Sequence, residues 1–381
     1  MKAVFFEALP YESAYRVGSH QYADRFSRAG WDVFWLSHPI SLLHILHPSK
    51  RDMDTRMRGW REGPFRTGEV TYYSPFTLLP SSDRPILRSR FVAYHSAKWT
   101  VPSVKRVLHR AGFDAPDLVW LSNPVFQPIA KETPALCHAI RVADATTSFQ
   151  GVPAVRQELE EEAVASADVV FAVSEKVRAR FAKEREYVIP LPNGAEFTHF
   201  AQLRDEPADL RDIPHPRVIY VGAIDYWFDV ELVARVAEAR PELNFVLIGP
   251  KHVDTSALEA LSNVHLLGPR PYDQVPAYLQ HADVAIIPFA RDDMVDAIHP
   301  IKAYEYLAAG LPVVATRWPE LESMAAPLLL ADREEFAELL DDALADCGPS
   351  RETRLRYARE NSWDARFDTV IETLHPAALL F

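Results

Sequence analysis

The chain has 381 residues, more than one hydrophobic core usually organises, so we expect two domains. Apolar residues make up 48% and charged residues 25% of the sequence, which is typical of a folded globular protein and excludes extensive disorder. The 41 basic residues stand against 53 acidic ones, for a formal charge of −12. This balance argues against a nucleic-acid-binding protein, because polyanion binding requires a basic surface.

The two cysteines, Cys137 and Cys347, lie far apart and form no CxxC pair. We expect two buried thiols in a reducing compartment, with neither a disulfide framework nor a zinc site. The first residues hold too short an apolar run for a signal peptide, and no stretch reaches the ~18 apolar residues that a membrane span needs. These features predict a protein of the cytoplasm or of the inner face of the cell membrane.

Apolar runs and helical spacing alternate along the N-terminal half of the chain. Strands are expected at residues 3–6, 31–36, 117–121, 139–143 and 168–173, with helices at 18–29 and 154–165. Continuous apolar strands separated by helices indicate a parallel sheet that is covered on both faces.

The C-terminal half repeats this architecture without repeating the sequence. Strands are expected at residues 218–221, 244–248, 264–267, 284–287 and 313–316, with helices at 230–239, 275–280, 301–309 and 354–374. A stretch rich in proline and polar residues, 187–216, predicts a linker. The pattern therefore predicts an α/β protein of two doubly wound, Rossmann-like domains, 1–190 and 191–381, that face a cleft. We expect the helix at 354–374 to pack back on the first domain.

Several motifs of other nucleotide-binding and hydrolytic enzymes are absent from the sequence. No GxGxxG follows the first strand, and no GxxxxGK[ST] occurs, which excludes typical dinucleotide redox enzymes and P-loop nucleotidases. GxSxG and HExxH are also absent, so the sequence favours neither a nucleophile-elbow hydrolase nor a zinc protease.

The segment from His299 to Thr316 predicts a helix with a lysine in its first turn. Pro300 suits the helix start and Gly310 the helix end. Lys302 and Glu305 are three residues apart and so share one face. A lysine beside the free amides of a helix start favours a diphosphate, and the carboxylate can accept hydrogen bonds from ribose hydroxyls. The alternative is an ordinary amphipathic helix with an i,i+3 ion pair.

This segment resembles the donor-site motif of GT-B nucleotide-sugar glycosyltransferases, particularly those of glycosyltransferase family 4. Further stretches resemble the same family in the same order, at 167–175, 191–194 with Phe197 and Phe200, 218–223, 282–289 and 361–363. The resemblance implies the GT-B fold, with an acceptor-binding first domain and a donor-binding second domain. It implies donor contacts from Gly222, Arg270, Tyr272, Phe289, Ile301, Lys302 and Glu305. For Arg270 and the two aromatic residues, a solvated arginine and core rings remain the alternative.

The sequence departs from the family 4 pattern at two places. Residues 222–229 lack the Arg and Lys that these enzymes carry after the first donor-domain strand. The first of the family's paired glutamates would fall at Ala297, with Asp296 one position away. The stretch 251–252, Lys-His, could add positive charge near the phosphates.

A closer local resemblance is to xanthan-type inverting β-1,2-glucuronosyltransferases, around residues 18–33 and 141–147. It implies that Asp144 is the catalytic base that takes the proton from the attacking acceptor hydroxyl. The alternative for Asp144 is a helix cap or a turn aspartate. The same resemblance places Gly18 and His20 in a loop near the acceptor or the donor phosphate.

Residues 49–110 form a basic segment inside this acidic chain. They hold thirteen Lys and Arg against five Asp and Glu, a charge of +8, and bulky apolar residues are interleaved among them. Such a segment suits an anionic membrane surface. The expected membrane contacts are Arg56, Arg58, Trp60, Arg61, Arg88, Arg90, Lys98 and Trp99. The alternative is a solvated insertion whose aromatic residues belong to the core.

Together these features predict a hexosyltransferase-type enzyme of bacterial-type polysaccharide or glycolipid synthesis. It would move a sugar from a nucleotide-sugar donor, UDP-linked, to a saccharide or lipid-linked acceptor. We expect no metal or other cofactor, because a helix start and a lysine can neutralise the leaving diphosphate. No nucleic-acid partner is expected. A UDP-sugar 2-epimerase on the same fold and a non-catalytic nucleotide-sugar-binding subunit are the alternatives.

Overall fold

The computed structural model describes residues 1–13, 16–46, 52–82, 87–143 and 154–374. The chain divides into two compact units. Unit 1 comprises Met1–Pro192 together with the C-terminal segment from Phe367, and unit 2 comprises Asn193–Arg366. Each unit is an α/β domain built on its own sheet.

Unit 1 contains an eight-stranded sheet in the order β3-β4-β2-β1-β5-β6-β7-β8, parallel except for the pair β3–β4. Its strands are β1 Lys2–Phe6, β2 Asp32–Leu36, β3 Phe65–Thr67, β4 Val70–Tyr73, β5 Leu118–Leu121, β6 Cys137–Val142, β7 Val169–Ala172 and β8 Ile189–Pro190. Aromatic rings fill the centre of this sheet: Phe5 stacks on Trp35 and on Trp120, with ring centres 5.8 and 5.6 Å apart. Side chains of this size bury much of the apolar area that stabilises the unit.

Helices alternate with these strands along the chain, as is typical of parallel sheets with continuous apolar strands. They are α1 Gly18–Arg28, α2 Leu42–Leu46, α3 Met53–Glu62, α4 Arg90–Ser96, α5 Val104–Ala111, α6 Gln127–Ala130, α7 Ala154–Ser166 and α8 Glu175–Phe181. Ser89, Ser103 and Ser174 cap α4, α5 and α8 by accepting a backbone N–H of the first turn.

Unit 2 contains a six-stranded parallel sheet in the order β11-β10-β9-β12-β13-β14. Its strands are β9 Arg217–Val221, β10 Asn244–Ile248, β11 Val264–Leu266, β12 Val284–Ile287, β13 Val313–Thr316 and β14 Leu329–Ala331. Its helices are α9 Phe197–Ala201, α10 Val230–Ala239, α11 Ser256–Glu259, α12 Val275–Gln280, α13 Ile301–Ala308, α14 Pro319–Ser323, α15 Phe336–Leu344 and α16 Arg351–Glu360. A last helix, α17 Trp363–Leu374, begins in unit 2 and ends in unit 1.

Each sheet has a point at which the strand order reverses. In unit 1 the reversal lies between β1 and β5, and in unit 2 it lies between β9 and β12. Ligands of doubly wound sheets bind in the crevice at the carboxyl ends of such strands. The residues that follow these four strands are therefore the first place to look for a site in either unit.

The predicted strands and long helices are confirmed, and several shorter elements were missed. The stretch 187–216 is not a plain linker, because it contains β8 and α9. The helical stretch 354–374 is interrupted at Asn361–Ser362, where Trp363 N–H donates to the Ala195 carbonyl (3.0 Å). Gly194 permits this contact, since a Cβ there would lie 2.7 Å from the Asn361 carbonyl oxygen.

The cysteine prediction is half right. Cys137 is buried in β6, but Cys347 is exposed in the loop after α15. Among the residues that the structure describes, no group of three or more His, Cys, Asp or Glu side chains could hold a metal ion.

Candidate functional site

The carboxyl end of β9 is fastened to helix α13 by a buried tyrosine. The hydroxyl of Tyr306 accepts the N–H of Val221 (2.8 Å) and donates to the carbonyl of the same residue (3.1 Å). Gly222 comes next, and its N–H donates to the carbonyl of Ile248 at the end of β10 (2.8 Å). These bonds set the backbone of Gly222 beside the first turns of α13, at the reversal point of the unit 2 sheet.

The ammonium group of Lys302 lies at this strand end between two aromatic rings. Its Nζ is 5.3 Å from the ring centre of Tyr220 and 5.1 Å from that of Phe289. A Cβ on Gly222 would lie 2.9 Å from Nζ, so the ammonium group rests against the Gly222 backbone. Burial lowers the pKa of Lys302 to about 8, and the charge of Glu305 opposes this shift. Lys302 is thus a desolvated cation at a helix start, where an anion is favoured.

No side chain caps the start of α13, and hydrogen bonds of the preceding residue, His299, hold this helix start in place. Pro300 occupies the N-cap position, one residue before the helix, and no side chain caps the first turn. His299 is buried, with Nδ1 3.0 Å from Glu320 and Nε2 2.8 Å from the hydroxyl of Tyr304. Asn193 donates to the His299 carbonyl (2.9 Å). First-turn amides that no side chain caps are suited to an anionic ligand.

Glu305 lies one turn after Lys302 on the same helix and is partly buried. Burial raises the pKa of Glu305 to about 7, whereas the Lys302 charge and a hydrogen bond from Tyr272 act in the opposite direction. The alternative of an i,i+3 ion pair between Lys302 and Glu305 does not describe this helix. The Lys302 ammonium group contacts the rings of Tyr220 and Phe289 and the Gly222 backbone instead. A carboxyl group in this position can hydrogen-bond hydroxyl groups in either protonation state.

Three further predicted donor residues have partners within unit 2. The Arg270 guanidinium pairs with Asp209 (2.6 Å) and donates to the Leu267 carbonyl (2.6 Å), so it braces its own loop. Tyr272 is exposed and stacks on His199 at 5.0 Å, with the ring planes 14° apart. Phe289 is buried, stacks on Trp318 at 5.6 Å and lies beside the Lys302 ammonium group.

The basic residues after β10 also have acidic partners. Lys251 Nζ lies 2.6 Å from Glu259, and His252 Nδ1 lies 2.7 Å from Asp225. Asp296 pairs with Arg291 (3.0 Å). Neither Lys251 nor His252 therefore replaces the missing Arg and Lys of residues 222–229, and Lys302 is the cation that reaches Gly222 among the described residues.

The backbone of Gly249, after β10, approaches that of Gly222 so closely that only glycine fits at this position. A Cβ on Gly249 would lie 1.9 Å from the carbonyl oxygen of Gly222, a distance that only a backbone shift could relieve. We expect Gly249→Ala to lower the free energy of unfolding by about 1–3 kcal/mol, as overpacking does. Urea denaturation measures this effect.

Gly348→Ala is the matched control for this prediction. The nearest atom to a Cβ at Gly348 is 3.6 Å away, which is ordinary van der Waals contact. An equal loss of stability in both variants would contradict the account of Gly249.

In unit 1 the predicted phosphate-loop residues have structural partners. Gly18 is buried at the start of α1, and a Cβ there would lie 2.9 Å from Nη1 of Arg141, so the glycine makes room for a guanidinium. His20 is fully buried: Nδ1 accepts the Val17 N–H (3.1 Å) and Nε2 donates to the Pro10 carbonyl (3.0 Å). Burial lowers the pKa of His20 to about 4. Both ring nitrogens are used within the chain, and Gly18 and His20 lie in helix α1, which corrects the expectation that they form a loop.

Asp144, the expected catalytic base, lies outside the described residues. It follows β6, which ends at Val142.

Several residues of the predicted membrane contact bind other residues of unit 1, which the sequence did not indicate. Arg56 is half-buried, and its guanidinium donates to the carbonyls of His38 and Ala8 (both 3.0 Å). Arg58 lies 4.1 Å from the ring centre of Phe65, and Trp60 donates to the Val101 carbonyl (2.9 Å). Arg56 and Trp60 are both half-buried, so these contacts occupy only part of each side chain.

The other members of this group lie at the surface of unit 1. Lys98 pairs with Glu132 (2.5 Å), and Arg90 lies 3.4 Å from both Glu158 and Glu162. Arg61 and Arg88 are exposed, and Trp99 is half-buried. Within the described ranges no helix is long and apolar enough to cross a membrane.

Comparison with known proteins connects this site to a family. Residues 215–346 match the model of the family described as "Glycosyl transferases group 1", and this range contains β9, Lys302 and Glu305. TuaH of Bacillus subtilis (strain 168), assigned as a teichuronic acid biosynthesis glycosyltransferase, is 27% identical over 212 residues. The match covers 52% of this chain and 53% of TuaH, so the chain spans about half the length of this relative.

Solved structures match nearly the whole chain at low sequence identity. Sucrose-phosphate synthase from Thermosynechococcus elongatus has a TM-score of 0.69 at 15% identity, covering 99% of this chain and 100% of its own. A UDP-forming trehalose-phosphate synthase from Burkholderia xenovorans has a TM-score of 0.66 at 16% identity, covering 99% of each chain. A glycosyltransferase from Rickettsia africae has a TM-score of 0.68 at 12% identity, covering 100% of this chain and 99% of its own. The chain therefore has the predicted GT-B fold, and its segment 215–346 carries the sequence pattern of the group 1 glycosyltransferases.

Proposed function

We propose that this protein is a glycosyltransferase that takes a sugar from a UDP-linked donor bound by unit 2. The observation that carries the proposal is the position of Lys302. Its ammonium group lies against the Gly222 backbone, beside a helix start that no side chain caps. Lysine, helix dipole and backbone N–H groups all favour the same ligand, a diphosphate.

The relatives support this choice of reaction and donor. The family matched by residues 215–346 is a glycosyltransferase family, and one structural neighbour is named as UDP-forming. TuaH is named for teichuronic acid biosynthesis, which favours a saccharide or lipid-linked acceptor in polysaccharide synthesis for this chain as well. No observation favours the 2-epimerase or the non-catalytic subunit.

In the proposed reaction, the oxygen of an acceptor hydroxyl bonds to the anomeric carbon of the donor sugar. The bond from this carbon to the diphosphate oxygen breaks, and the nucleoside diphosphate leaves with the bonding electron pair. Asp144 takes the hydroxyl proton, as the resemblance to inverting enzymes implies. Lys302 and the first-turn amides of α13 stabilise the charge that develops on the diphosphate, and Glu305 hydrogen-bonds the ribose.

The proposal is tested by binding and turnover with one panel of nucleotides. Thermal unfolding is followed with UDP, GDP and dTDP and their glucose conjugates, because a ligand of the native state raises its melting temperature. We expect the UDP compounds to give the largest shift, and the UDP-sugar to be slowly hydrolysed to UDP and free sugar. Binding without hydrolysis or transfer would support the non-catalytic subunit, and an epimerised nucleotide sugar would support the epimerase. No shift with any nucleotide would overturn the proposal.

We further propose that unit 1 docks on an anionic membrane through an apolar patch, defined as Leu78, Leu79, Phe91, Trp99 and Val101. Leu78 is 62% and Phe91 is 64% exposed, and Leu79 and Val101 are also exposed. The patch is continuous because Leu78 N–H donates to the Trp99 carbonyl (3.1 Å) and the Phe91 ring lies 5.5 Å from that of Trp99.

The charge around this patch suits an anionic surface. Lys98 and Arg90 border it, and the surrounding segment 49–110 carries a charge of +8. Glu132 neutralises part of this charge, since it pairs with both Lys98 and Lys105. Exposed apolar side chains next to basic ones favour a lipid interface, to which the apolar groups contribute by burial and the basic groups by attraction.

Vesicle co-sedimentation tests the membrane proposal. The double variant Leu78→Ser, Phe91→Ser is expected to bind phosphatidylglycerol-containing vesicles about tenfold less than the wild type, because two large apolar side chains no longer enter the lipid. Leu203→Ser, which removes the most exposed leucine of unit 2, is the matched control and should bind like the wild type. Equal, negligible binding of the wild type to anionic and neutral vesicles would refute the membrane proposal.

A further inference from the structure

A cavity of about 150 Å³ lies inside unit 1, between the helices α6 and α7 and the strands β5 and β6, and we name it the α6–α7 cavity. Val119 and Leu121 of β5 line it, together with their register partners in β6, His138 and Ile140. Register partners, and residues two apart in a strand, point to the same face of a sheet. These four side chains therefore form one floor of the cavity.

The helix side of the α6–α7 cavity is lined by small side chains. Ala130 belongs to α6, Ala163 belongs to α7, and Ala167 follows the end of α7; all three are buried. Because these side chains end at Cβ, they leave space between the helices and the sheet, whereas protein interiors are normally close-packed. A cavity of this size with an apolar lining accommodates a benzene ring. The space therefore fits the apolar body of a small molecule.

Gln127 is a buried polar residue within this mostly apolar lining. It is 3% exposed, and its side-chain amide has no hydrogen-bond partner among the residues that the structure describes. A buried polar group without a partner is costly to the folded protein and rare, which indicates that a molecule in the cavity completes it. The amide can donate two hydrogen bonds and accept two.

The cavity reaches the surface at Lys131, which lines it and is exposed. Lys131 follows Gln127 by four residues, at the end of α6, so the two side chains share one face of this turn. The neighbouring Glu132 pairs with Lys98 and Lys105, and Lys131 has no acidic partner within the described ranges. An unpaired ammonium group beside an unpaired amide favours an anion that can accept from both.

The oxygen atoms at this end of the cavity already accept hydrogen bonds. His138 Nε2 donates to the carbonyls of Ala130 (3.2 Å) and Thr133 (3.0 Å), and Asp168 accepts the His138 N–H (2.8 Å). The donors that are left over, on Gln127 and Lys131, are therefore the groups that select a ligand.

We propose that the α6–α7 cavity binds a small monocarboxylate whose apolar body is about the size of a benzene ring. The body fills the space between the helix alanines and the strand floor, and the carboxylate accepts from the Gln127 amide and the Lys131 ammonium group. All the lining residues belong to unit 1, whereas the proposed donor site belongs to unit 2. Binding in this cavity is therefore separate from nucleotide binding.

The test uses the full chain and sodium benzoate, followed by calorimetry and saturation-transfer NMR. We expect benzoate to bind at one saturable site. Benzyl alcohol, which keeps the ring and lacks the charge, should bind about tenfold more weakly, and acetate, which lacks the ring, should not bind. Absence of saturable benzoate binding would refute the site, and equal binding of benzoate and acetate would show attraction to a surface charge only. Saturating UDP should not displace benzoate; displacement would place the anion in unit 2 and overturn the proposal.

Filling the cavity should abolish most of this binding. Ala163→Leu is expected to lower benzoate affinity by about tenfold or more, because the longer side chain occupies the space of the ring. Ala165→Leu, at an exposed position of the same helix, is the matched control and should bind benzoate like the wild type. Wild-type affinity in Ala163→Leu would refute the site.

Removing the charge at the mouth keeps the test valid if Ala163→Leu does not fold, because Lys131 is exposed. Lys131→Gln should lower benzoate affinity about fivefold and leave benzyl alcohol binding unchanged. Lys183→Gln, at an exposed lysine of unit 1 that does not line the cavity, is the control. An equal loss of benzoate affinity in both lysine variants would contradict the role of Lys131.

Gln127→Leu tests the buried amide separately. This variant should raise the melting temperature of the free protein, because an unpaired buried amide is removed, and should lower benzoate affinity about fivefold. A lower melting temperature together with wild-type benzoate affinity would contradict the role of Gln127.

Discussion

Replacing Lys302 by methionine is expected to weaken UDP binding by about 10- to 100-fold. Methionine keeps an apolar stem between the rings of Tyr220 and Phe289, so the variant removes the ammonium charge with little loss of packing. A hydrogen bond to a charged group contributes about 1.5–3 kcal/mol, which corresponds to this range of affinity. Isothermal titration calorimetry with UDP measures the effect.

Lys251→Met is the matched control, because the Lys251 ammonium is paired with Glu259 at 2.6 Å. It should bind UDP as tightly as the wild type. UDP affinity of Lys302→Met equal to that of the wild type would show that the Lys302 ammonium group does not hold the diphosphate.

The same titration repeated across pH identifies the ammonium group. The pKa of Lys302 is about 8 in the free protein, and an anion binds the protonated form. UDP affinity should therefore be constant well below pH 8 and fall about tenfold per unit above it, whereas Lys302→Met should lack this decrease. Glu305, with a pKa of about 7, adds a weaker dependence on the acid side.

Replacing Asp144 by asparagine is expected to lower sugar transfer by about 10²- to 10⁴-fold and to leave UDP binding unchanged. The amide has nearly the shape of the carboxylate but cannot take the proton of the acceptor hydroxyl, and general base catalysis contributes a factor of this size. The measurement is UDP release in the presence of acceptor, with UDP affinity determined on the same preparation.

Asp114→Asn is a suitable control, since Asp114 is an exposed residue of unit 1 that pairs with His109. Turnover of Asp144→Asn at the wild-type rate would refute the role of Asp144. Loss of both turnover and UDP binding would point to a folding defect, and circular dichroism of the variant would reveal it.

Much of unit 2 could be predicted from the sequence because its strands are short, continuous apolar runs. The bounds of β10, β12 and β13 agree with the prediction to the residue, and α13 differs only at its last residue. Fully buried parallel strands need apolar side chains on both faces, and that requirement is visible locally. The position of Lys302 could also be predicted locally, because Pro300 marks the helix start and Gly310 marks the helix end, which places the lysine in the first turn.

The parts that could not be predicted depend on partners distant in the chain. Strands β3 and β4 have mixed polarity and form only as an edge hairpin next to β2. The hydroxyl of Tyr306 finds its partner 85 residues away, at Val221. His20 carries a plausible functional side chain, yet Pro10 and Val17 occupy both of its ring nitrogens.

The chain passes from unit 1 to unit 2 after Pro192 and returns at Phe367, within helix α17. Unit 2 is thus an insertion in the covalent sequence of unit 1, whose returning segment places Phe367 against Phe26 at 5.0 Å. During synthesis, a ribosome releases every residue of unit 2 before the last part of unit 1 exists. Unit 2 can therefore complete its fold first, and a stop codon shortly before residue 367 would leave Phe26 without this aromatic contact while sparing unit 2.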